Sequence, residues 1–231
     1  AGTPGLRSHE TVLGRGCRPR RPICGQALGL ALVSTPDLAF PRRRMLKNTP
    51  THYGFVSKLL HWTVFALIAY QFVGANLMTR LGRSASVLGL NQDHFYNWHK
   101  SIGLMVLGVA VLRIAWRRTT PLPEWAAALT ETERAITQRL EALLYSLMFL
   151  LPITGYLFVM TGGYGVRLFG VYDLPNPIGK QPALAIWVQT AHVLFTYAAV
   201  VVASWHIGLG LKKHVYERTR FLHRMLPFTR E

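Results

Sequence analysis

Nine histidines are spread along the 231 residues. Four of them, His61, His99, His192 and His206, fall inside or at the edge of long apolar stretches. An ionisable side chain in such a place is costly and faces a partner in the protein interior where it is tolerated. No carboxylate lies in these stretches except Glu141, at one edge, so ion pairing does not account for the imidazoles. Neutral imidazole is a metal ligand that needs no acid beside it. His192 and His206 are 14 residues apart. On a helix this is a rise of about 21 Å and about 40° short of four turns, so one helix face carries both rings at two depths. The other five, His9, His52, His94, His214 and His223, lie at or beyond the ends of the apolar stretches.

The elements that must position these rings show as runs without charge. About 21 residues separate Lys58 from Arg80, about 25 separate Glu141 from Arg167, and about 31 separate Lys180 from Lys212; a bilayer-spanning helix needs about 20. A fourth stretch, 95–116, is broken only by Lys100 and Arg113 near its ends, where long basic side chains reach the headgroups. The runs are continuous rather than alternating, which argues against a membrane β-barrel. The fold class is therefore all-α, an integral membrane four-helix bundle with spans at about 56–79, 95–116, 140–161 and 185–211. With the N-terminal side taken as inside, the inner segments after residue 44 hold 13 Lys and Arg. The outer loops hold five: Arg80, Arg83, Lys100, Arg167 and Lys180. The excess places both termini in the cytoplasm.

This threading sorts the four histidines by depth. His61 lies just inside the first span and His206 near the end of the fourth, both at the inner level. His99 opens the second span and His192 lies near the start of the fourth, both at the outer level. Each pair supplies two axial ligands for one haem iron, and without a CxxCH sequence the haem is of the non-covalent b type. Zinc fits less well, because two histidines per level leave its usual third and fourth ligands unsupplied. A proton relay would call for intramembrane carboxylates, and four histidines hydrogen-bonded in a packed bundle is the remaining alternative. Ser101 and Gly103, just after His99, offer a close, flat surface for a porphyrin. Gly155, with Pro152 before it, either relieves crowding or kinks its helix.

Composition agrees with a membrane protein. Half of the residues are hydrophobic and 16% are charged, against about 25% charged in a soluble domain. This apolar content excludes disorder of the whole chain. The net charge of +16 on so apolar a chain points to membrane lipid, not nucleic acid, as the anionic surface it meets. The only cysteines, Cys17 and Cys24, are too few and too close to the N-terminus to hold the fold. Residues 1–44 contain eight arginines, two acids and no spanning run, and read as a disordered basic extension, with Met45 as an alternative start of the membrane domain 45–231. The loop after the second span begins TTPLPEW, which stops a helix. ALTETERAITQRLEALL then reads as a capped helix running into span three. The loop GGYGVRLFGVYDLPNPIGKQP, rich in Gly and Pro, is expected to be irregular.

From about residue 50 to 227 the chain resembles the prokaryotic cytochrome b561 family of small dihaem membrane cytochromes. The matching pieces are LHW, WHKSIG, LRIAWRRTTPLP, LLYSLMFLLPITGY, FGVYDLP and WHIGLGLKKHVYERTRFLHRMLP, in that order. The resemblance implies two haem b groups ligated by His61, His99, His192 and His206, with the pairing that depth also gives. It implies a bacterial inner-membrane location and an oxidoreductase exchanging single electrons with the ubiquinone pool, with superoxide as a donor in some members. Other relatives are haem subunits relaying electrons between a partner dehydrogenase or hydrogenase and quinone. A non-redox membrane anchor is the alternative of another class. Relatives commonly carry a further, non-ligating histidine where this chain has Glu141, a departure that bears on proton exchange near the inner haem rather than on ligation.

Overall fold

A threonine three residues ahead of a glutamate opens the longest helix. Thr130 Oγ1 accepts from the Glu133 N–H at 3.3 Å, and Glu133 Oε2 accepts from the Thr130 N–H at 3.0 Å. This reciprocal cap satisfies two backbone donors that no helical carbonyl reaches, as ALTETERAITQRLEALL leads one to expect. The computed structural model describes residues 46–226; the extension 1–44 lies outside the described residues. Four long helices follow in order: α1 Phe55–Arg80, α2 Gln92–Thr119, α3 Glu131–Thr161 and α4 Pro182–Leu211. All four are long and apolar enough to cross a membrane. The predicted spans coincide with them, except that α3 starts about nine residues earlier and so projects beyond the apolar layer.

The other helix ends have equally local causes. Asn91 caps α2 by accepting from the His94 N–H at 3.1 Å, Asp93 stands in its first turn, and Arg117 and Arg118 stand in its last. That places acid and base where the helix dipole favours each. Asn48 Oδ1 accepts from the Gly54 N–H and the Ser57 hydroxyl at the start of α1. Pro182 occupies the first turn of α4, where its missing N–H costs nothing. Beyond Leu211 the chain widens into a π-helical turn, Lys212–Tyr216. Its Lys213 is buried and pairs with Glu133 at 2.8 Å and Glu217 at 2.7 Å, fastening the end of α4 to the start of α3.

Consecutive helices run antiparallel, α1 packing on α2 and α3 on α4, with α2 joining the two pairs. The buried centre is Val64, Ala110 and Met148, from α1, α2 and α3, with Tyr145 and Phe149 against it. Much of the remaining apolar surface faces outward, including Phe72, Leu112, Ile153, Leu194 and Val201. In water such a surface would drive aggregation, whereas lipid solvates it. The near end of the bundle carries Phe55, Thr119, Glu131 and Leu211, and the far end carries Arg80, Gln92, Thr161 and Pro182.

The far-end loop predicted to be irregular is instead a two-stranded hairpin, and a smaller one joins α1 to α2. Strands β1 Ser86–Val87 and β2 Leu90–Asn91 pair antiparallel, as do β3 Val166–Leu168 and β4 Tyr172–Leu174. In the larger hairpin the turn residues Phe169 and Gly170 have φ of 47° and 76°, the left-handed pair that matches strand twist. Phenylalanine is an unusual first residue for such a turn. Here the Phe169 N–H donates to Ser101 Oγ at 2.7 Å and its ring meets Trp98 edge-on at 5.8 Å. The Ser101 hydroxyl thus ties α2 to the hairpin.

Candidate haem-ligand sites

The four membrane histidines meet as two pairs. At the near end His61 of α1 and His206 of α4 have ring centres 6.5 Å apart, at an interplanar angle of 51°. At the far end His99 of α2 and His192 of α4 have ring centres 6.4 Å apart, at 87°. An imidazole nitrogen binds a metal at about 2 Å, and its ring centre lies about 1 Å farther back. Two axial imidazoles on one metal therefore stand about 6 Å apart, and both pairs fit that separation. No group of three or more His, Cys, Asp or Glu able to hold a metal occurs among the described residues. Each level offers two imidazoles only.

The surroundings fix the rings to different degrees. His192 Nδ1 lies 3.0 Å from the Leu151 carbonyl and 3.1 Å from Thr154 Oγ1. A carbonyl only accepts, so Nδ1 carries the proton and Nε2 keeps the lone pair, the second-layer arrangement typical of metal-binding histidine. Gly155 makes this approach possible: a Cβ there would stand 3.0 Å from His192 Cε1 and 3.3 Å from Nδ1. Of the two roles open to Gly155, room beside an imidazole is the one the geometry displays. Across from it, the Gln71 amide donates to the His99 carbonyl at 2.9 Å. A Cβ on Gly103 would come within 3.1 Å of that amide nitrogen, so this glycine admits Gln71. His99 Nδ1 is buried without a hydrogen-bond partner among the described residues, an orphaned atom of the kind that a bound group accounts for.

At the near end Arg113 bridges two neutral groups. Its Nε donates to the Tyr145 hydroxyl at 2.8 Å, and its Nη2 lies 3.2 Å from His61 Nδ1. Guanidinium has no acceptor, so in this arrangement Nδ1 of His61 accepts and the proton sits on Nε2. Ligation of a metal through Nε2 of His61 entails release of that contact. One turn along α2, Arg117 pairs with Glu141 of α3 at 3.1 Å, and both arginines lie over the Tyr145 ring, at 5.4 and 5.5 Å. Sequence reasoning treats Arg113 only as a basic side chain near a span end. The signal it passes over is that Arg113 and Tyr145 share the depth of His61.

At the far end Lys100 Nζ donates to the Gly165 carbonyl at 3.0 Å, tying α2 to the turn after α3. Arg167 and Asp173 face each other across the hairpin, with hydrogen bonds of 2.8 and 2.7 Å. This guanidinium holds the Asp173 carboxyl below the usual carboxylate range. Beside the hairpin lies a cavity of about 290 Å³ lined by His94, Asn97, Trp98 and Arg167 among others. His214 and His223, beyond the helices, bring their rings to 5.4 Å, and His214 Nδ1 is engaged by the Thr219 carbonyl at 2.9 Å.

The family described as prokaryotic cytochrome b561 matches this chain over residues 52–228. The chain is also similar to cytochrome b561 homolog 2 of Escherichia coli (strain K12), with 29% identity over 182 residues, covering 78% of this chain and 93% of that relative.

Proposed function

The chain belongs to the prokaryotic cytochrome b561 family, membrane b-type cytochromes of electron transfer, and from that premise we propose that it holds two haem b groups and passes single electrons between the two ends of the bundle. His61 and His206 hold the near haem; His99 and His192 hold the far one. Bound there, haem would supply a reversible one-electron iron couple, and two imidazoles to each iron would favour electron transfer over oxygen binding. The protein's residues do the rest. Leu151 and Thr154 orient His192, Gly155 gives its ring room, Gln71 holds the backbone of His99, and Arg113 sets a positive charge beside His61. The observation that carries the reading is the pair of ring separations, 6.4 and 6.5 Å, at two depths of one bundle.

In this reading the protein lies in the bacterial inner membrane with both termini in the cytoplasm, so the near end faces inward. The near haem exchanges electrons with the ubiquinone pool; with superoxide as donor, a quinone there takes up two electrons and two protons in all. The far end takes electrons from superoxide, each superoxide losing one electron to leave oxygen with no proton to move. Support for the anion at that end is its basic residues, Arg80, Arg83, Lys100 and Lys180, beyond the Arg167–Asp173 pair.

The test is haem quantitation with a reduced-minus-oxidised spectrum. The wild-type chain should carry two low-spin haems, and His192→Ala and His206→Ala should each lose one, a different one. A wild-type chain without haem would leave an anchor role, and variants that both keep two haems would refute the ligand assignment.

A further inference from the structure

A second cavity, of about 250 Å³, opens between α2 and α3 at the near end, lined by Ile114, Arg117, Gln138, Glu141, Ala142 and Tyr145. Its chemistry is mixed in a specific way. Ile114 and Ala142 give apolar walls and Tyr145 an aromatic face. Arg117 can only donate, Glu141 when ionised can only accept, and Gln138 does both. Glu141 and Arg117 are partly exposed, at 28% and 37% of their side-chain surface. A carboxylate in a span is expensive and marks function by default. The ion pair with Arg117 accounts for the charge but not for the open space beside it.

The cavity also lies close to His61. Tyr145 lines it, the Tyr145 hydroxyl accepts from Arg113, and Arg113 reaches His61 Nδ1. Tyr145 and Arg113 therefore lie between the cavity and His61, although the Arg113–His61 contact is the one released when Nε2 takes a metal.

We propose that this cavity binds the ring of a membrane quinone or quinol, with Glu141 as acceptor for a ring hydroxyl and Arg117 or Gln138 as donor to a ring carbonyl. The inference rests on the quinone exchange proposed above and adds its place. A substituted ring bearing one oxygen at each of two opposite positions needs one acceptor or donor at each and apolar contact between. The volume lies just under the usual range for small-molecule pockets, which suits a head group whose tail stays in lipid. On oxidation the hydroxyl O–H bond facing Glu141 breaks and its proton passes to the carboxylate. The second proton leaves for water, and the two electrons go to two one-electron acceptors, the haem irons.

The test uses the full haem-loaded chain in lipid nanodiscs with an azido-substituted, short-tailed ubiquinone as photolabel. Label should appear on α2 and α3 at residues lining the cavity. Ala142→Trp, which fills the cavity from its lipid-facing side, should cut labelling about tenfold while haem content and spectrum stay unchanged. Glu141→Gln should keep the label and slow reduction by quinol about tenfold or more. Label spread over lipid-facing residues of all four helices, or insensitive to Ala142→Trp, would overturn the site. Label in the cavity with no haem reduction by quinol would keep the site and overturn the exchange. Rapid reduction with label elsewhere would do the reverse.

Discussion

His192 shows how much one residue depends on what its neighbours lack. Glycine to alanine inside a helix ordinarily stabilises by about 1 kcal/mol. At Gly155 the new methyl would stand 3.0 Å from the His192 ring, a contact relieved by a shift of a few tenths of an ångström that loosens the imidazole's hold on the Leu151 carbonyl. Losing such a second-layer partner costs about 10–100-fold in metal affinity, more than the helix gains. Gly155→Ala is expected to lose the far haem in purified protein and keep the near one, measured as haem per chain. Retention of both haems with an unchanged spectrum would show that α3 yields instead. That His192 and His206 share one face of a helix was legible from type and spacing, because a 14-residue interval on an apolar helix survives any packing. The tie from Arg113 to His61 was not, since it joins residues on separate helices and depends on how α1 and α2 rotate against each other.

Among the elements, the four helices were the most readable, since their charge-free runs and the Thr130–Glu133 cap are local signals. The hairpin β3–β4 was not. Its turn begins with Phe169, and only contacts with Ser101 and Trp98, 68 and 71 residues away in sequence, make that backbone tolerable. Its Arg167–Asp173 pair gives the hairpin a pH dependence whose sign follows from the lowered Asp173 value. The folded carboxyl titrates below the unfolded one, so the pair contributes fully above an ordinary Asp value of about 4. Its contribution fades as pH falls through the lowered folded value. Amide exchange in the hairpin should therefore gain no pair-dependent component between pH 7 and 5 and lose protection in acid. Asp173→Asn should remove this acid-dependent step, and a step that persists in the variant would assign it to another group. The pair is well exposed, so its weight in the whole fold is small.

For the whole molecule, the net charge of +16 acts through its distribution. Arg167 and Asp173 cancel locally, and Arg80, Arg83, Lys100 and Lys180 outweigh Asp93 at the far end. A positive face raises the encounter rate of a small anion, and salt weakens it because the screening length shrinks to about 10 Å at 0.1 M. Reduction of the oxidised protein by superoxide should therefore slow about threefold or more from low to high salt. A rate indifferent to salt, or no faster than a free bis-imidazole haem, would leave quinol and a partner dehydrogenase or hydrogenase as the donors. A neutral quinol should show no such dependence in the same protein.

Because His192 and His206 both stand on α4, the two sites share one ruler, and errors in it cannot be confined. A residue added to α1 or α2 disturbs one ring of one pair. A residue added to α4 between 193 and 205 turns one imidazole by about 100° relative to the other and shifts it by about 1.5 Å. No rotation of the helix then satisfies both partners. Seven added residues would restore the phase to within about 20° but displace one site by about 10 Å, past the reach of His61 or His99. The interval is thus fixed twice, once as an angle and once as a length, and insertion scanning of α4 should find no tolerated length that keeps both haems.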